Sequence, residues 1–266
     1  LYVAEGGAYD GKIVERNAAG EEVRPLDISI TKNVLGLFIN SAVLLVIMMS
    51  CVRWYKKHPL EDGAPKGGVG MIEATVLSIY NDVIKGCIGE NYRRYAPYLL
   101  TAFFFVLVNN LMGLIPIFPG GANVTGNIAI TLVLALCTFV LTNVYGTKAY
   151  WKEIFWPDVP MWLKAPIPMM PLIEFFGIFT KPFALMIRLF ANIMAGHAAV
   201  LSLVAIIFIT VKSGPVINGS MTVVSVAFSI FMDALEILVA FIQAYVFTML
   251  SAVFIGLSQV KEHAEK

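Results

Sequence analysis

Charged residues are scarce in this chain of 266 residues. They make up only 14% of it, whereas hydrophobic residues make up 58%. A typical soluble domain has about 25% charged and roughly 45–50% apolar residues. Because a water-soluble globule of this size needs more surface charge, the composition excludes an independent soluble enzyme and indicates an integral membrane protein.

The charges that are present almost cancel. Nineteen Lys and Arg residues against eighteen Asp and Glu residues leave a net charge of +1, so no electrostatic field exists to attract nucleic acid. The sequence also has no phosphate loop of the G-x-x-x-x-G-K type. We therefore expect this chain to bind neither nucleic acid nor nucleotide.

Cysteine is also rare. Cys51, Cys87 and Cys137 are far apart, so they have neither the spacing of metal ligands nor that of a disulfide framework. We also find no Ser/His/Asp arrangement. We expect no metal site, no cofactor and no catalytic site within this chain.

Long apolar segments lie between the few charges. There is no charged residue between Arg94 and Lys148, which is room for two transmembrane helices at about 20 residues each. Residues 33–52 are also free of charge, and Lys212 is the only formal charge in 189–232. An isolated charge inside a bilayer costs several kcal/mol, so this distribution predicts a chain that crosses a membrane repeatedly.

We predict an all-α integral membrane protein with about five transmembrane helices and one amphipathic interfacial helix. Residues 31–266 form a single membrane domain. The predicted spans are 34–54, 97–118 and 126–145, followed by two long apolar segments at 171–211 and 219–260.

Residues 1–30 are polar and contain several glycines. This composition predicts an exposed N-terminal tail, with a short hairpin, on the outer side of the membrane. Because the chain begins with Leu1 rather than Met, we expect that a preceding piece was removed, either as a signal or by truncation.

The segment 71–88 has apolar residues that recur every three or four positions, with Glu73, Asn81, Asp82 and Lys85 between them. This pattern predicts an amphipathic helix at the membrane surface. Packing of the same apolar face against other protein remains an equal alternative.

The last two apolar segments are unusually long. Each has about 40 residues, which is about 60 Å as one helix and twice the thickness of the hydrocarbon core. A helical hairpin would need a polar turn, and none is present. We therefore predict two long, strongly tilted helices, with Pro182 and Gly196 as possible bends, that wrap around a partner outside this chain.

Polar residues recur along the first of these segments. Glu174, Lys181 and Arg188 are spaced by seven, and Asn192 follows one turn later, so these four side chains share one stripe. His197, nine residues after Arg188, points to the other side. Ionisable residues inside a span are functional candidates.

The second long segment has a similar stripe. Ser229, Glu236 and Gln243 are also spaced by seven, and Asp233 precedes Glu236 by about one turn. Two apolar helices therefore each carry a polar stripe, and the residues of these stripes are our candidates for a site.

Several of these residues also have a structural explanation that the sequence leaves open. Lys181 could extend to the headgroups, and Glu174 could lie in the interface. Asn192 and Gln243 could simply form hydrogen bonds between helices. Arg188 lies midway along its segment, far from either end, which makes such an explanation difficult.

The distribution of Lys and Arg among the loops predicts the orientation. The loops after the first and third spans are basic, the turn after the second has no charge, and the turn after the fourth has only Lys212. With five spans, this pattern places the N-terminus outside and the C-terminus in the cytoplasm.

Three stretches resemble subunit a of F-type ATP synthases. The run Lys181-Pro-Phe-Ala-Leu-Met-Ile-Arg188-Leu-Phe-Ala-Asn192-Ile-Met-Ala-Gly196-His197 is similar to that family's signature. The run Asn110-Leu-Met-Gly-Leu-Ile-Pro116 and the later Glu236…Gln243-Ala-Tyr-Val-Phe resemble its other characteristic stretches. The resemblance covers about residues 34–260.

This resemblance implies a stator subunit of a rotary ATP synthase in the bacterial inner membrane, beside a ring of c subunits and held by peripheral-stalk b subunits. Such a subunit has no catalytic site but forms two half-channels for H⁺ or Na⁺ within an ATP-synthesising complex. The implied ion-translocation residues are Arg188 opposite the ring carboxylate, Asn192 and Gln243 beside it, His197 and Glu236 in the outer channel, and Glu174 in the cytoplasmic channel.

One position departs from the family pattern. Gly113 stands where some members have an acidic residue, so the outer channel has lost one polar group. Asp233 is not expected from the family; it is a candidate substitute for that acid or an ordinary partner of a nearby cation.

The alternative functions are an ion-coupled secondary transporter and a structural or quinone-binding subunit of a respiratory complex. An ion-coupled secondary transporter would show inverted repeats, but the intramembrane charges are concentrated in the C-terminal half. A structural or quinone-binding subunit of a respiratory complex would not require an Arg without an evident partner in the same chain.

Overall fold

The computed structural model describes residues 2–3, 13–16, 22–23, 31–58, 65–115, 124–155 and 169–259. Apart from three short strands near the N-terminus, its regular elements are helices. In chain order these are α1 (Lys32–Lys57), α2 (Gly68–Ser78), α3 (Gly86–Ile88), α4 (Tyr92–Leu114), α5 (Ile128–Val144), α6 (Lys148–Phe155), α7 (Met169–Thr210) and α8 (Pro215–Ser258).

The predicted all-α membrane fold is confirmed. Four helical stretches are long and apolar enough to cross a membrane, by length and composition alone, within the part of the chain that the structure describes. Helix α5 adds a fifth span when it is counted together with α6, from which it is bent by 97°.

The N-terminal tail contains strands β1 (Tyr2–Val3), β2 (Ile13–Arg16) and β3 (Glu22–Val23). All neighbours are antiparallel, with Tyr2 opposite Val14 and Glu15 opposite Val23. The hairpin predicted for residues 1–30 is therefore present. The exposure predicted for the tail stays a prediction, since most of residues 1–30 lie outside the described ranges.

Helix α1 has local signals at both ends. The Thr31 side chain accepts a hydrogen bond of 3.4 Å from the backbone N–H of Val34, which satisfies a free N–H group of the first turn. Lys56 and Lys57 lie in the last turn, where positive charge interacts favourably with the helix dipole. Helix α1 therefore begins and ends within a few residues of the predicted span 34–54.

The stretch from Gly68 to Leu114 is almost continuously helical. A π-helical segment (Ile79–Lys85) and a 3₁₀ turn (Gly89–Asn91) connect α2, α3 and α4. Gly89 has φ of +73°, a conformation that residues with a Cβ rarely adopt.

The apolar face predicted for residues 71–88 packs against protein. Ile79, Val83, Ile84 and Ile88 are buried in the main core. Close contact with α8 requires Gly256, because a Cβ at that position would collide with the carbonyl oxygen of Cys87. Of the two alternatives that the sequence left open, the described contacts support packing against protein.

The main core lies between α4, α7 and α8. Its central side chains include Leu99, Phe103, Val106, Leu185, Leu189, Ala244, Phe247 and Ile255. Hydroxyl groups also link the helices. Tyr98 Oη on α4 lies 2.8 Å from Thr138 Oγ1 on α5, which lies 3.2 Å from Ser251 Oγ on α8.

Helices α7 and α8 are the longest, with 42 and 44 residues. The chain remains helical through Pro182 and Gly196, so neither long segment is a hairpin. At about 1.5 Å per residue each exceeds 60 Å, which requires a strong tilt in a bilayer with a hydrocarbon core of about 30 Å.

The two long helices are antiparallel and joined by a tight turn. Gly214 has φ of +104° in this turn, and Thr210 Oγ1 donates a 3.0 Å hydrogen bond to Asn218 Oδ1 across it. No residue is buried in the most apolar 18-residue window of Pro171–Thr210. Helix α7 therefore presents a wide apolar face that the described residues do not cover.

Candidate functional site

A cavity of about 270 Å³ lies between α4, α7 and α8. Its polar lining consists of two asparagines, a histidine and a glutamate, and the rest is apolar. The lining residues are Asn110, Leu114, Asn192, Ile193, Ala195, Gly196, His197, Met232, Leu235, Glu236, Val239 and Ala240. His197 and Glu236 are the titratable side chains among them.

The Glu236 carboxylate lies directly against the backbone of Gly196 in this cavity. A Cβ at Gly196 would lie 2.6 Å from Glu236 Oε1 and 2.9 Å from its carboxyl carbon. Oε1 is buried and has no hydrogen-bond partner among the described residues. A buried carboxylate oxygen without a donor is costly when ionised, so this group is suited to taking up a proton or a donor from the cavity.

Asn110 reaches the cavity from α4. Its Nδ2 donates a 3.4 Å hydrogen bond to the carbonyl oxygen of Ala240 on α8, and the residue is only 5% exposed. Its Oδ1 is buried without a hydrogen-bond partner among the described residues. The cavity therefore contains a second acceptor oxygen that needs a donor.

The next residue, Asn109, faces a different helix. Its Oδ1 accepts a 2.9 Å hydrogen bond from Asn40 Nδ2 on α1, and its own Nδ2 donates to the carbonyl oxygen of Phe105 at 2.8 Å. Asn40 and Asn109 are both buried. Helix α4 is thus linked through adjacent amides to α1 on one side and to α8 on the other.

Arg188 lies on α7 outside the cavity lining. Its side chain is exposed and makes no hydrogen bond or ion pair with any residue in the described ranges. The neighbouring Leu185 and Leu189 are buried in the core, whereas the arginine projects from a part of the helix surface that the described residues leave exposed.

The remaining candidates lie elsewhere on the two long helices. Gln243 is buried in α8, 7% exposed, and Asp233 is exposed. Glu174 is half-buried and lies near Tyr150 of α6. The described geometry therefore brings together Asn192, His197 and Glu236, but not Gln243, Glu174, Asp233 or Arg188. Asp233 does not line the cavity. It therefore does not replace, in this cavity, the acidic residue that is absent at position 113.

The lysine of the predicted stripe lines a second, small pocket that is mostly apolar. Lys181 lines a space of about 20 Å³ together with Thr142, Asn143 and Tyr150. Asn143 Oδ1 is buried without a hydrogen-bond partner among the described residues. Lys181 therefore lies beside polar groups of α5 and α6.

Asn40 and Asn110 were not among the candidates predicted from sequence. Each is an amide in a charge-free span, and a polar side chain at such a position usually faces another helix or a cavity. That signal could have identified them.

Comparisons with known proteins give one consistent family. The family described as ATP synthase A chain matches residues 35–256. A protein of Chlorobium phaeobacteroides named ATP synthase subunit a is 47% identical over 96% of this chain and 75% of its own length. Proteins with the same name from Chloroherpeton thalassium and Myxococcus xanthus are 45% and 39% identical, over 91% and 90% of this chain and 70% and 75% of their own lengths.

Proposed function

Since this chain belongs to the ATP synthase A chain family, a membrane family of ATP synthesis and proton transport, we propose that Arg188 is the fixed charge that couples ion flow to rotation. The chain acts as a stator beside a ring of c subunits. The ion passes from an outer half-channel to a ring carboxylate and leaves through a cytoplasmic half-channel after the ring has turned.

The observation that carries this proposal is the surroundings of Arg188. Its charge is exposed on an apolar helix face and has no partner in the described ranges. A cation at mid-bilayer without a counter-charge costs several kcal/mol. A carboxylate supplied by another subunit at this face would remove that cost.

The same pair explains ion release from the ring. A ring carboxylate crosses lipid only when it is neutral, because the bare charge is too costly. At about 4 Å and an effective dielectric constant near 20, Arg188 would attract the ionised form by roughly 4 kcal/mol, or about a thousandfold. Arginine is suited to this role because its guanidinium stays protonated when buried.

The cavity on α4, α7 and α8 is the proposed outer half-channel. His197 and Glu236 both line it, and imidazole and carboxyl groups inside a span are typical members of proton relays. Asn192 lines the same cavity, close in sequence to Arg188. Gln243, buried on α8, is the second polar neighbour that we assign to the arginine.

Glu174 is the proposed group of the cytoplasmic half-channel. It precedes Arg188 by about 21 Å along the axis of α7, whereas His197 follows Arg188 by about 14 Å, at 1.5 Å per residue. The fixed charge thus lies between the two titratable groups along this helix. Because a guanidinium does not deprotonate, it blocks proton transfer between them. Asp233, exposed near Glu236, is assigned an auxiliary role at the outer side.

The helix contacts support the proposed orientation. The basic ends of α1 and α4 and the C-terminal end of α5 lie at one end of the bundle, because Asn40 pairs with Asn109 and Tyr98 with Thr138. The end of α8 lies there too, since Gln259 Nε2 donates to the Tyr145 carbonyl oxygen at 2.7 Å. By the positive-inside rule this end, with the C-terminus, faces the cytoplasm of a bacterial inner membrane and the N-terminus faces outside.

The proposed partners are the c-subunit ring, the peripheral-stalk b subunits, the surrounding lipid and the translocated H⁺ or Na⁺. Family membership argues against a secondary transporter and against a subunit of a respiratory complex. The exposed apolar side chains of Phe183 and Ile187 near Arg188 support the ring as the occupant of that side.

Sided labelling of the assembled synthase tests the two half-channels. Cys51, Cys87 and Cys137 are first replaced by serine, and then Glu174→Cys and Glu236→Cys are made separately. A membrane-impermeant thiol reagent should label position 236 from the outer side only and position 174 from the cytoplasmic side only. Labelling of both positions from the same side would refute the two half-channel layout.

A further inference from the structure

Helix α6 (Lys148–Phe155) differs from the long helices in its direction. It is bent by 97° from α5, whose 17 residues rise about 26 Å, close to the hydrocarbon core of about 30 Å. Just before α6, the backbone N–H of Thr147 donates a 2.9 Å hydrogen bond to the carbonyl oxygen of Ser258, the last residue of α8. Helix α6 therefore begins where two spans end, and it runs roughly along the membrane surface.

One side of α6 packs against the protein. Tyr150 and Ile154 are buried, with 7% and 4% of their surface exposed, and they form a small apolar cluster with Ile178 on α7. This contact fixes the rotation of α6 about its own axis. The other side chains of the helix therefore point in defined directions.

The remaining long side chains of α6 form three exposed groups. Trp151 and Phe155 are a stacked aromatic pair, with ring centroids 5.9 Å apart and ring planes 14° apart. They are 37% and 56% exposed, which is unusual for large aromatic side chains unless they meet lipid or another protein. Lys148 and Lys152, one turn apart, form the second group, and Glu153 is the third.

Helical geometry gives the relative directions of these groups. At about 100° per residue, Glu153 points about 180° away from the mean direction of Trp151 and Phe155. Lys148 and Lys152 point about 60° away from the aromatic pair and about 160° away from the buried side. When the aromatic pair faces the lipid, the glutamate faces water and the lysines lie at the level of the headgroups, directed away from the protein.

Each group has the chemistry of the layer in which this orientation places it. Aromatic side chains of an interfacial helix insert at the boundary between headgroups and acyl chains. Lysines at the membrane surface are attracted to anionic headgroups over about one Debye length. Because the Cβ atoms of residues one turn apart are about 5–6 Å apart, Lys148 and Lys152 can both reach one headgroup phosphate.

We propose that α6 is an interfacial helix that binds an anionic phospholipid. Lys148 and Lys152 bind the headgroup phosphate, and Trp151 and Phe155 lie at the boundary between headgroups and acyl chains. This inference goes beyond the proposed function, because none of these residues belongs to the proposed ion pathway. The proposed orientation of the chain assigns this lipid to the cytoplasmic leaflet.

Photocrosslinking of the complete synthase tests this inference. The complex is reconstituted in vesicles of phosphatidylcholine and phosphatidylglycerol at low salt, with a photoactivatable group on one lipid or the other in equal amounts. Peptides that contain α6 are then examined by mass spectrometry for attached lipid. We expect phosphatidylglycerol to be favoured roughly fivefold for each lysine, or roughly twenty-fivefold for both. High salt should reduce this preference, because it screens exposed charges.

Variants of α6 identify the groups that bind the headgroup. Lys148→Gln combined with Lys152→Gln should bring labelling by phosphatidylglycerol close to the level of phosphatidylcholine. Lys148→Arg combined with Lys152→Arg keeps both charges and should keep the preference. Glu153→Gln is the matched control, since it removes a charge from the same helix on the side that faces water, and it should not reduce the labelling.

Several results would overturn the inference. Equal labelling of wild-type α6 by the two lipids is one, and an unchanged preference for phosphatidylglycerol in the double glutamine variant is another. Crosslinks from α6 to another subunit in place of lipid would identify a protein as the occupant of this surface. If the double glutamine variant fails to assemble, a preference of the wild-type complex that persists at high salt would contradict binding through the lysines.

This inference and the proposed function can fail separately. Lipid labelling is measured without any ion transport, and Arg188→Ala should leave the labelling of α6 unchanged. A loss of the lipid preference in the wild-type complex would thus overturn the lipid site alone, whereas normal pumping by Arg188→Ala would overturn the proposed function alone.

Discussion

Gly196 on α7 and Glu236 on α8 lie so close that a methyl group at Gly196 would stand 2.6 Å from the carboxylate oxygen Oε1. Such a distance is far below van der Waals contact. The absence of a side chain at Gly196 therefore determines where the Glu236 carboxylate lies in the cavity.

The variant Gly196→Ala should displace this carboxylate. We expect ATP synthesis to fall at least tenfold, because a displacement of about 1 Å at a reacting group can cost about a hundredfold in rate. The control is Gly177→Ala on the same helix, where an added Cβ meets no atom within 4 Å. Equal rates of ATP synthesis in the two variants would contradict the proposed position of Glu236.

The buried pair of Asn40 and Asn109 should stabilise the contact between α1 and α4. Their amides form a 2.9 Å hydrogen bond, and hydrogen bonds between membrane helices contribute about 0.6 kcal/mol on average, with a maximum near 1.7. A double-mutant cycle with Asn40→Ala and Asn109→Ala, measured by unfolding in detergent, should give a coupling energy in this range. A coupling energy of zero would mean that the bond contributes nothing.

The contact between α8 and α3 should depend on Gly256. A Cβ there would collide with the backbone carbonyl of Cys87, and backbone has little freedom to move, so Gly256→Ala should cost about 1–3 kcal/mol of stability. Gly219→Ala, on the same helix but with nothing within 4 Å, is the control. The two variants are compared by thermal unfolding and by the yield of assembled complex; a stable Gly256→Ala would show that the helices can separate without loss.

The fold could be predicted largely from the positions of the charges. The high cost of a charge in lipid makes a charge-free segment a span, and the predicted span 126–145 differs from α5 (Ile128–Val144) by only one or two residues at each end. The packing of residues 71–88 could not be predicted in the same way. An apolar helix face is the same whether it meets lipid or protein, and the burial of Ile84 and Ile88 depends on a distant helix.

The site could be predicted only in part. His197 and Glu236 were predicted as a pair, and the structure places both in one cavity. Spacing alone put Asn192 and His197 on different sides of α7, but both residues line the same cavity. The approach of Asn110 to Ala240 joins residues 130 positions apart, and no local pattern contains that information.

The most direct test of the central claim is ATP-driven proton pumping by the synthase that carries Arg188→Ala. We expect that the complex still assembles with its c ring but pumps no protons, and that Arg188→Lys either fails in the same way or leaks protons. Lys212→Ala, which removes an exposed charge at the α7–α8 turn, is the control and should pump normally. Pumping by Arg188→Ala at the wild-type rate would contradict the account.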